Sequence, residues 1–156
     1  MTCRKPSSKS KNADHFWINK SLDQLSPVEW ESLCDGCAQC CLHKLEDDET
    51  GEIHYTSLAC QLLDIDLCQC SEYANRRAHV PACISLTFDD IPKMTWLPKS
   101  CAYRLLHEGK PLPAWHPLIS GNRESVHESG ASVRDFALPE TAVPEDEWET
   151  HVIHWR

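Results

Sequence analysis

Residues 34–41 read Cys34-Asp35-Gly36-Cys37-Ala38-Gln39-Cys40-Cys41 and hold four of the ten cysteines in this 156-residue chain. The first three recur at every third residue, a spacing at which a tight turn can direct successive sulfur atoms at one ion. Thiolate is the soft ligand that selects zinc, copper(I) or iron–sulfur clusters. The run therefore predicts a bound metal, and with it a domain that metal stabilises.

Five further cysteines follow within the next sixty residues. A structural zinc ion and a four-iron cluster each take four ligands. Nine thiols thus suffice for two centres with one left over, or for three metals that share bridging thiolates. Because adjacent residues do not easily ligate one ion, Cys40 and Cys41 either serve different ions or include a spare thiol. The predicted metal ligands are Cys34, Cys37, Cys40, Cys41, Cys60, Cys68, Cys70, Cys83 and Cys101.

Isolated members of this set are open to a simpler interpretation. Cys101, beside Ala102, is equally well explained as a buried small apolar residue. Among the nine histidines, His43 and His54 could complete a metal site, but the simpler interpretation places both at the surface. His116 lies between Trp115 and Pro117 and is better suited to a specific structural hydrogen bond than to metal ligation.

Charge and hydropathy limit the partners. The formal net charge of −9 combines about +4 in residues 1–20 with −13 elsewhere. Such an acidic body repels phosphate backbones, which disfavours nucleic acid as a partner. No stretch approaches the eighteen apolar residues of a membrane span, and no apolar core of a secretory signal is present. We therefore expect a cytoplasmic protein, in which disulfides are rare and thiolate–metal bonds persist.

The organisation predicted along the chain is a disordered basic tail (1–14), a cysteine-cluster metal-binding domain (15–139) and an acidic C-terminal tail with aromatic anchors (140–156). The fold class predicted is α+β, a small irregular metal-stabilised single domain with short helices and a short β-hairpin. Ser26-Pro27-Val28-Glu29 is typical of a capped helix start, which would lead Leu33 into the core. Residues 45–55, with Gly51 in the turn, predict the hairpin.

Two further segments carry predictions. Residues 60–70 indicate a small knuckle that turns through Asp64, Ile65 and Asp66. A helix is expected from Lys99 to Glu108, begun after Pro98 and ended by Gly109. Beyond it, three prolines argue against helix, so residues 112–121 are predicted to be extended.

Several of these segments together resemble the YcgN-like cysteine-cluster family, which belongs to the zinc- or iron-chelating CxxCxxCC domain proteins. The resemblance covers about residues 15–156. It rests on Cys34 to Cys41, Ala59-Cys60-Gln61-Leu62-Leu63-Asp64, Cys68-Gln69-Cys70-Ser71-Glu72-Tyr73, Arg76-Arg77, Pro81-Ala82-Cys83, Trp96-Leu97-Pro98-Lys99-Ser100-Cys101-Ala102-Tyr103-Arg104 and Trp115-His116-Pro117-Leu118-Ile119-Ser120-Gly121.

The resemblance implies metal chelation and brings no reaction with it. No serine–histidine–aspartate signature, phosphate loop or paired-carboxylate motif stands above chance in the sequence. The leading hypothesis is a structural or accessory protein that binds zinc or iron through thiolates. The alternative is an iron–sulfur redox or transfer enzyme that uses the same cysteines. Metal ions are the partners predicted, and the sequence identifies no protein partner.

Overall fold

The computed structural model describes residues 15–154, so the predicted basic tail 1–14 lies outside the described residues. The described chain is an α+β domain of short elements, as predicted. Its helices are α1 (Phe16–Asn19), α2 (Pro27–Ser32), α3 (Arg76–His79), α4 (Ala102–His107), α5 (Pro117–Ser120) and α6 (Ser125–Glu128). Its strands are β1 (Leu42–Glu46), β2 (Ile53–Ala59), β3 (Leu63–Asp64), β4 (Gln69–Cys70) and β5 (Leu138–Pro139). Single 3-10 turns occupy Leu22–Gln24, Gln39–Cys41, Tyr73–Asn75, Ile91–Lys93 and Glu140–Ala142, and a longer one spans Glu145–His151.

The predicted hairpin is present as the antiparallel pair of β1 and β2, and Gly51 occupies its turn with a φ of +71°. Strand β5 joins the other edge of β2 in parallel, which gives the sheet order β1-β2-β5. The knuckle predicted at residues 60–70 forms a separate two-stranded ladder in which Leu63 pairs with Cys70. The first hairpin returns the chain beside Cys41, whose carbonyl accepts a hydrogen bond from Cys60 N, and the second begins next to Cys60.

Helix α2 begins as its sequence predicts. Ser26 Oγ accepts a hydrogen bond from Glu29 N at 3.2 Å, and Glu29 Oε1 accepts one from Ser26 N at 2.9 Å. This reciprocal capping box satisfies two backbone donors that a helix start leaves free. The helix is followed by Leu33, which is fully buried. Leu33 therefore anchors the chain in the core immediately before Cys34.

The region after Pro98 differs in part from prediction. Helix α4 begins at Ala102 rather than Lys99, because Cys101 N bonds to Pro98 O in a turn that precedes it. Gly109 follows the helix with a φ of +72°, as expected. The extended conformation predicted for residues 112–121 is wrong at its end, where α5 forms. Pro117 stands at the first helical position, where a missing N–H costs nothing.

The apolar core is divided into two small clusters. The first holds Trp17, Leu22, Leu33, Ile91, Leu97, Ala102, Tyr103 and Leu112. The second holds Ala38, Leu42, Tyr55, Ala59, Cys68 and Val133. Cys101 packs against the first cluster and Cys41 against the second, and Trp96 packs against both. Trp96 thus joins the two clusters, and one cysteine packs at the edge of each.

Residues 140–154 run back along the sheet. Val152 forms an isolated antiparallel bridge with Thr56, and Ile153 N donates to Tyr55 O at 2.8 Å. The Trp148 ring lies 4.6 Å from the ring of His43, centroid to centroid. The division of the chain at residue 140 stays a prediction. Over residues 15–154, no helix is both long and apolar enough to cross a membrane.

Candidate metal centre

The loop of residues 34–41 is curled by two residues in the left-handed region. Gly36 has a φ of +78° and Ala38 a φ of +61°. Glycine adopts this conformation freely, whereas an alanine does so at a cost that the surrounding structure must offset. Within the curl, Cys37 N donates to Asp35 Oδ1 at 2.9 Å, and Cys41 N donates to Ala38 O at 3.0 Å. These hydrogen bonds hold the four cysteines of the loop in a compact turn.

Asp35 is the unusual side chain of this loop. It is only 7% exposed, and its Oδ2 atom has no hydrogen-bond partner among residues 15–154. A buried carboxylate oxygen without a partner is costly unless a cation or a donor satisfies it. Asp35 therefore indicates a positive charge at this loop.

Helix α4 carries Cys101 to the same place. Tyr103 Oη donates to Trp30 O at 2.6 Å, which fixes the start of α4 against the end of α2. Burial, and after it the charges of Cys40 and Asp35, raises the pKa of Cys101 to about 11. Burial followed by the charges of Asp35 and Cys40 raises the pKa of Cys37. We call Cys34, Cys37, Cys40 and Cys101 the first group.

A second group surrounds Cys41. Cys60 N donates to Cys41 O at 2.9 Å. Leu63 N donates to Cys60 O at 2.9 Å, and Leu63 pairs with Cys70 in the ladder of β3 and β4. Burial chiefly raises the pKa of Cys60, and the charges of Glu140, Cys83 and Cys70 raise it further. The pKa of Cys41 is raised, chiefly by its hydrogen bond to the Cys40 thiol. Burial raises it further, and so do the charges of Cys60 and Cys83. We call Cys41, Cys60, Cys70 and Cys83 the second group.

Cys68 belongs to neither group. It is buried in the second apolar cluster with a φ of +52°, and its Sγ donates to Ile65 O at 3.4 Å. Burial raises its pKa, and the largest effect of any charge on it comes from Arg134. The structure thus surrounds this thiol with apolar groups, the Ser132 hydroxyl and a guanidinium.

The two groups meet at Cys40 and Cys41, beside Lys44. A hydrogen bond from the Cys41 thiol, together with the charge of Lys44, lowers the pKa of Cys40 to about 7. Lys44 Nζ donates to Cys40 O at 3.0 Å and to Leu42 O at 2.9 Å. It lies 4.7 Å from the Trp96 ring centroid and 5.1 Å from that of Tyr55, within cation–π range. Burial lowers the pKa of Lys44, and the charges of Cys40, Cys41 and Cys83 oppose that shift.

The histidines take other roles. His43 Nε2 contacts Glu140 Oε2, and His54 Nε2 lies 3.8 Å from Glu52 Oε2. His116 is fully buried, with Nε2 at 2.8 Å from Leu33 O and Nδ1 accepting from Leu118 N at 3.0 Å. The structural hydrogen bond predicted for His116 is confirmed. Its position beside Leu33 supports the residue that precedes Cys34.

The residues present fit a metal in their chemistry. All nine cysteines of the described range are free thiols, eight of them in the two groups, and one buried oxygen of Asp35 has no hydrogen-bond partner among the described residues. Over residues 15–154, no three side chains of His, Cys, Asp or Glu are already placed as a set of metal ligands. Asp35 and Lys44 had no signal in the sequence beyond their nearness to cysteines.

Comparison with known proteins adds a family. Residues 33–102 match the CxxCxxCC family model, described as "Putative zinc- or iron-chelating domain". A UPF0260 protein from Rhodopseudomonas palustris is 52% identical over 156 residues, covering 99% of this chain and 91% of that protein. One from Proteus mirabilis is 55% identical over 139 residues, covering 89% of this chain and 93% of that protein. One from Pseudomonas putida is 56% identical over 138 residues, covering 88% and 93%. No solved structure matches the chain.

Proposed function

The chain belongs to the UPF0260 family, and on that premise we propose that it is a structural or accessory protein that binds zinc or iron through its cysteine thiolates. The observation that carries the proposal is the buried, unpartnered oxygen of Asp35 among free thiols. A carboxylate beside buried thiols is unfavourable in a metal-free protein and favourable beside a divalent cation. When bound, the metal supplies positive charge that stabilises the thiolates.

The test is the composition of protein purified without oxygen. Zinc, iron and acid-labile sulfide are measured together with the absorption spectrum. Stoichiometric zinc in a colourless protein supports a zinc-binding role. Brown protein with iron and sulfide supports the iron–sulfur alternative, because four thiolates also suit a four-iron cluster. Protein that holds neither metal, and takes up neither on addition, would overturn the proposal.

Two companion proposals concern the location of the protein in the cell and the partners that it does not bind. A cytoplasmic location is supported by the free thiols, since a reducing compartment keeps them available for metal. The expectations that the chain binds neither nucleic acid nor membrane stay predictions. The net charge of −9 supports the expectation that the chain does not bind nucleic acid.

Zinc uptake at the first group should release protons and should tighten as pH rises. Burial raises the pKa of Cys37 and Cys101, so both are thiols at neutral pH, while Cys40, with a pKa of about 7, is half ionised. Metal must displace these protons, so affinity falls below neutral pH. Burial raises the pKa of Cys34 as well, so we expect release of between about three and four protons per zinc at pH 7.

Calorimetry in buffers of different ionisation enthalpy measures that number. Cys68→Ser is the matched control, because its thiol lies outside both groups and its loss should leave proton release unchanged. Release of less than about one proton per zinc would contradict thiol ligation.

A further inference from the structure

The cysteine loop, residues 34–41, is contacted by a segment from much later in the chain, residues 131–134. The family match covers residues 33–102, so it includes the loop and leaves this segment out. We propose that the 131–134 segment holds Ala38 in its left-handed conformation and so positions the cysteine loop for metal. The proposal rests on the proposed function, since it presumes that the thiols of the loop bind the metal.

Two hydrogen bonds join the segment to the loop, one on each side of Ala38. Val133 N donates to Cys37 O at 3.0 Å, and Gln39 Nε2 donates to Ala131 O at 2.6 Å. Gln39 is only 6% exposed and Val133 is fully buried, so water does not readily compete for either bond. The residue before Ala38 and the residue after it are therefore fixed to the same four-residue segment.

Ala38 needs such support. Its φ of +61° lies in the left-handed region, which costs an alanine free energy that a glycine does not lose. Residues in this conformation persist only where their surroundings determine it, and they cluster at functional sites. Ala38 is buried and packs in the second apolar cluster with Val133. Because Ala38 lies between Cys37 and Cys40, its conformation decides how these two thiols are placed relative to each other.

The 131–134 segment is itself anchored at both of its ends. Ala131 N donates to Val126 O, within α6, at 3.2 Å. Arg134 Nε donates to Asp66 O at 2.7 Å, and Arg134 Nη1 donates to Glu124 Oε2 at 2.9 Å. These contacts attach the segment to the α6 region and to the turn of residues 64–66, and none of them involves a thiol. The segment is therefore in place before metal binds, and a preformed support lowers the cost of ordering the loop around an ion.

The experiment compares the zinc affinity of full-length variants by competition with a chromophoric chelator, with Co²⁺–thiolate absorption as a second readout. Gln39→Met keeps the length of the side chain and removes the donor to Ala131 O. Zinc affinity should fall about ten- to a hundredfold, the usual loss when a group that orients metal ligands is removed. Gln24→Met is the matched control. The Gln24 amide accepts a hydrogen bond from Ser21 N in a 3-10 turn before α2, so its loss should leave zinc affinity unchanged.

A second substitution distinguishes positioning of the loop from a general loss of stability. Glycine adopts the conformation of Ala38 without support, so Ala38→Gly added to Gln39→Met should restore zinc affinity by about fivefold or more. Ala38→Gly by itself should change zinc affinity less than Gln39→Met does. A protein that was merely less stable would not recover, because glycine adds no contact to the folded state. Circular dichroism checks that the variants compared are folded.

Amide hydrogen exchange on the unaltered protein adds a test that needs no variant. The Val133 amide should be protected from exchange in the metal-free protein, because its bond to Cys37 O forms without metal. Exchange at the rate of an unprotected amide would overturn the proposal. Unchanged zinc affinity in folded Gln39→Met, or no recovery on adding Ala38→Gly, would also overturn it and leave thiolate binding intact. An unaltered protein that binds no zinc, iron or Co²⁺ would instead overturn the proposed function on which this proposal rests.

Discussion

Removing the metal should lower the melting temperature of the protein by roughly ten degrees or more. The reason lies in the division of the core. One apolar cluster packs Cys101 at its edge and the other packs Cys41. Bound metal would cross-link the two apolar clusters. Its loss would therefore weaken the attachment of the clusters to each other, and it would also loosen the cysteine loop.

The magnitude follows from mass action. A ligand at about 1,000 times its dissociation constant stabilises the folded state by about 4 kcal/mol. For a chain of this length each kcal/mol shifts the melting temperature by about 2–4 °C.

Calorimetry or circular dichroism before and after anaerobic chelation measures the shift, and reloading with zinc should restore it. Cys68→Ser should behave as the unaltered protein, whereas Cys101→Ser should begin lower and lose less on chelation. A melting temperature that does not change after metal analysis shows complete removal would contradict the proposed coupling of metal to fold.

The parts of the fold that could be predicted from sequence are those set by local signals. The capping box at Ser26 and Glu29 determines where α2 begins, and Gly51 permits the turn of the β1–β2 hairpin. Pro117 is the instructive failure. A proline excludes the interior of a helix but suits its first position, and His116 supplies the cap that makes α5 possible.

The grouping of the cysteines could not be predicted in the same way, because it depends on contacts between distant segments. The sequence places Cys101 sixty residues after Cys41. The bond from Tyr103 to Trp30 O and the packing of these two rings, 4.8 Å apart, bring α4 to the loop. The role of Asp35 was hidden for a related reason. Burial decides whether its second oxygen finds a partner, and burial is set by tertiary packing.

His116→Leu should destabilise the protein by about 2–4 kcal/mol, the second large effect we expect. The imidazole is fully buried, with Nε2 donating to Leu33 O and Nδ1 accepting from Leu118 N. Leucine has a similar volume but can do neither. The substitution would leave a buried carbonyl and the first free N–H of α5 without partners, each at a cost of about 1–3 kcal/mol.

Denaturant unfolding of the metal-loaded protein measures this loss against two matched variants. His54→Leu removes a half-buried histidine 3.8 Å from Glu52, and such a surface pair contributes less than about 1 kcal/mol. His116→Gln keeps one donor and one acceptor on a side chain of moderate size, so it should recover part of the loss.

The position of His116 extends this effect to the metal. Leu33 O is the carbonyl of the residue that precedes Cys34, so freeing it loosens the entry to the first group and leaves the second group supported by its own strands. His116→Leu should therefore weaken zinc binding as well as the fold. If His116→Leu proved as stable as His54→Leu, or if it bound zinc as tightly as the unaltered protein, the imidazole would not position the cysteine loop.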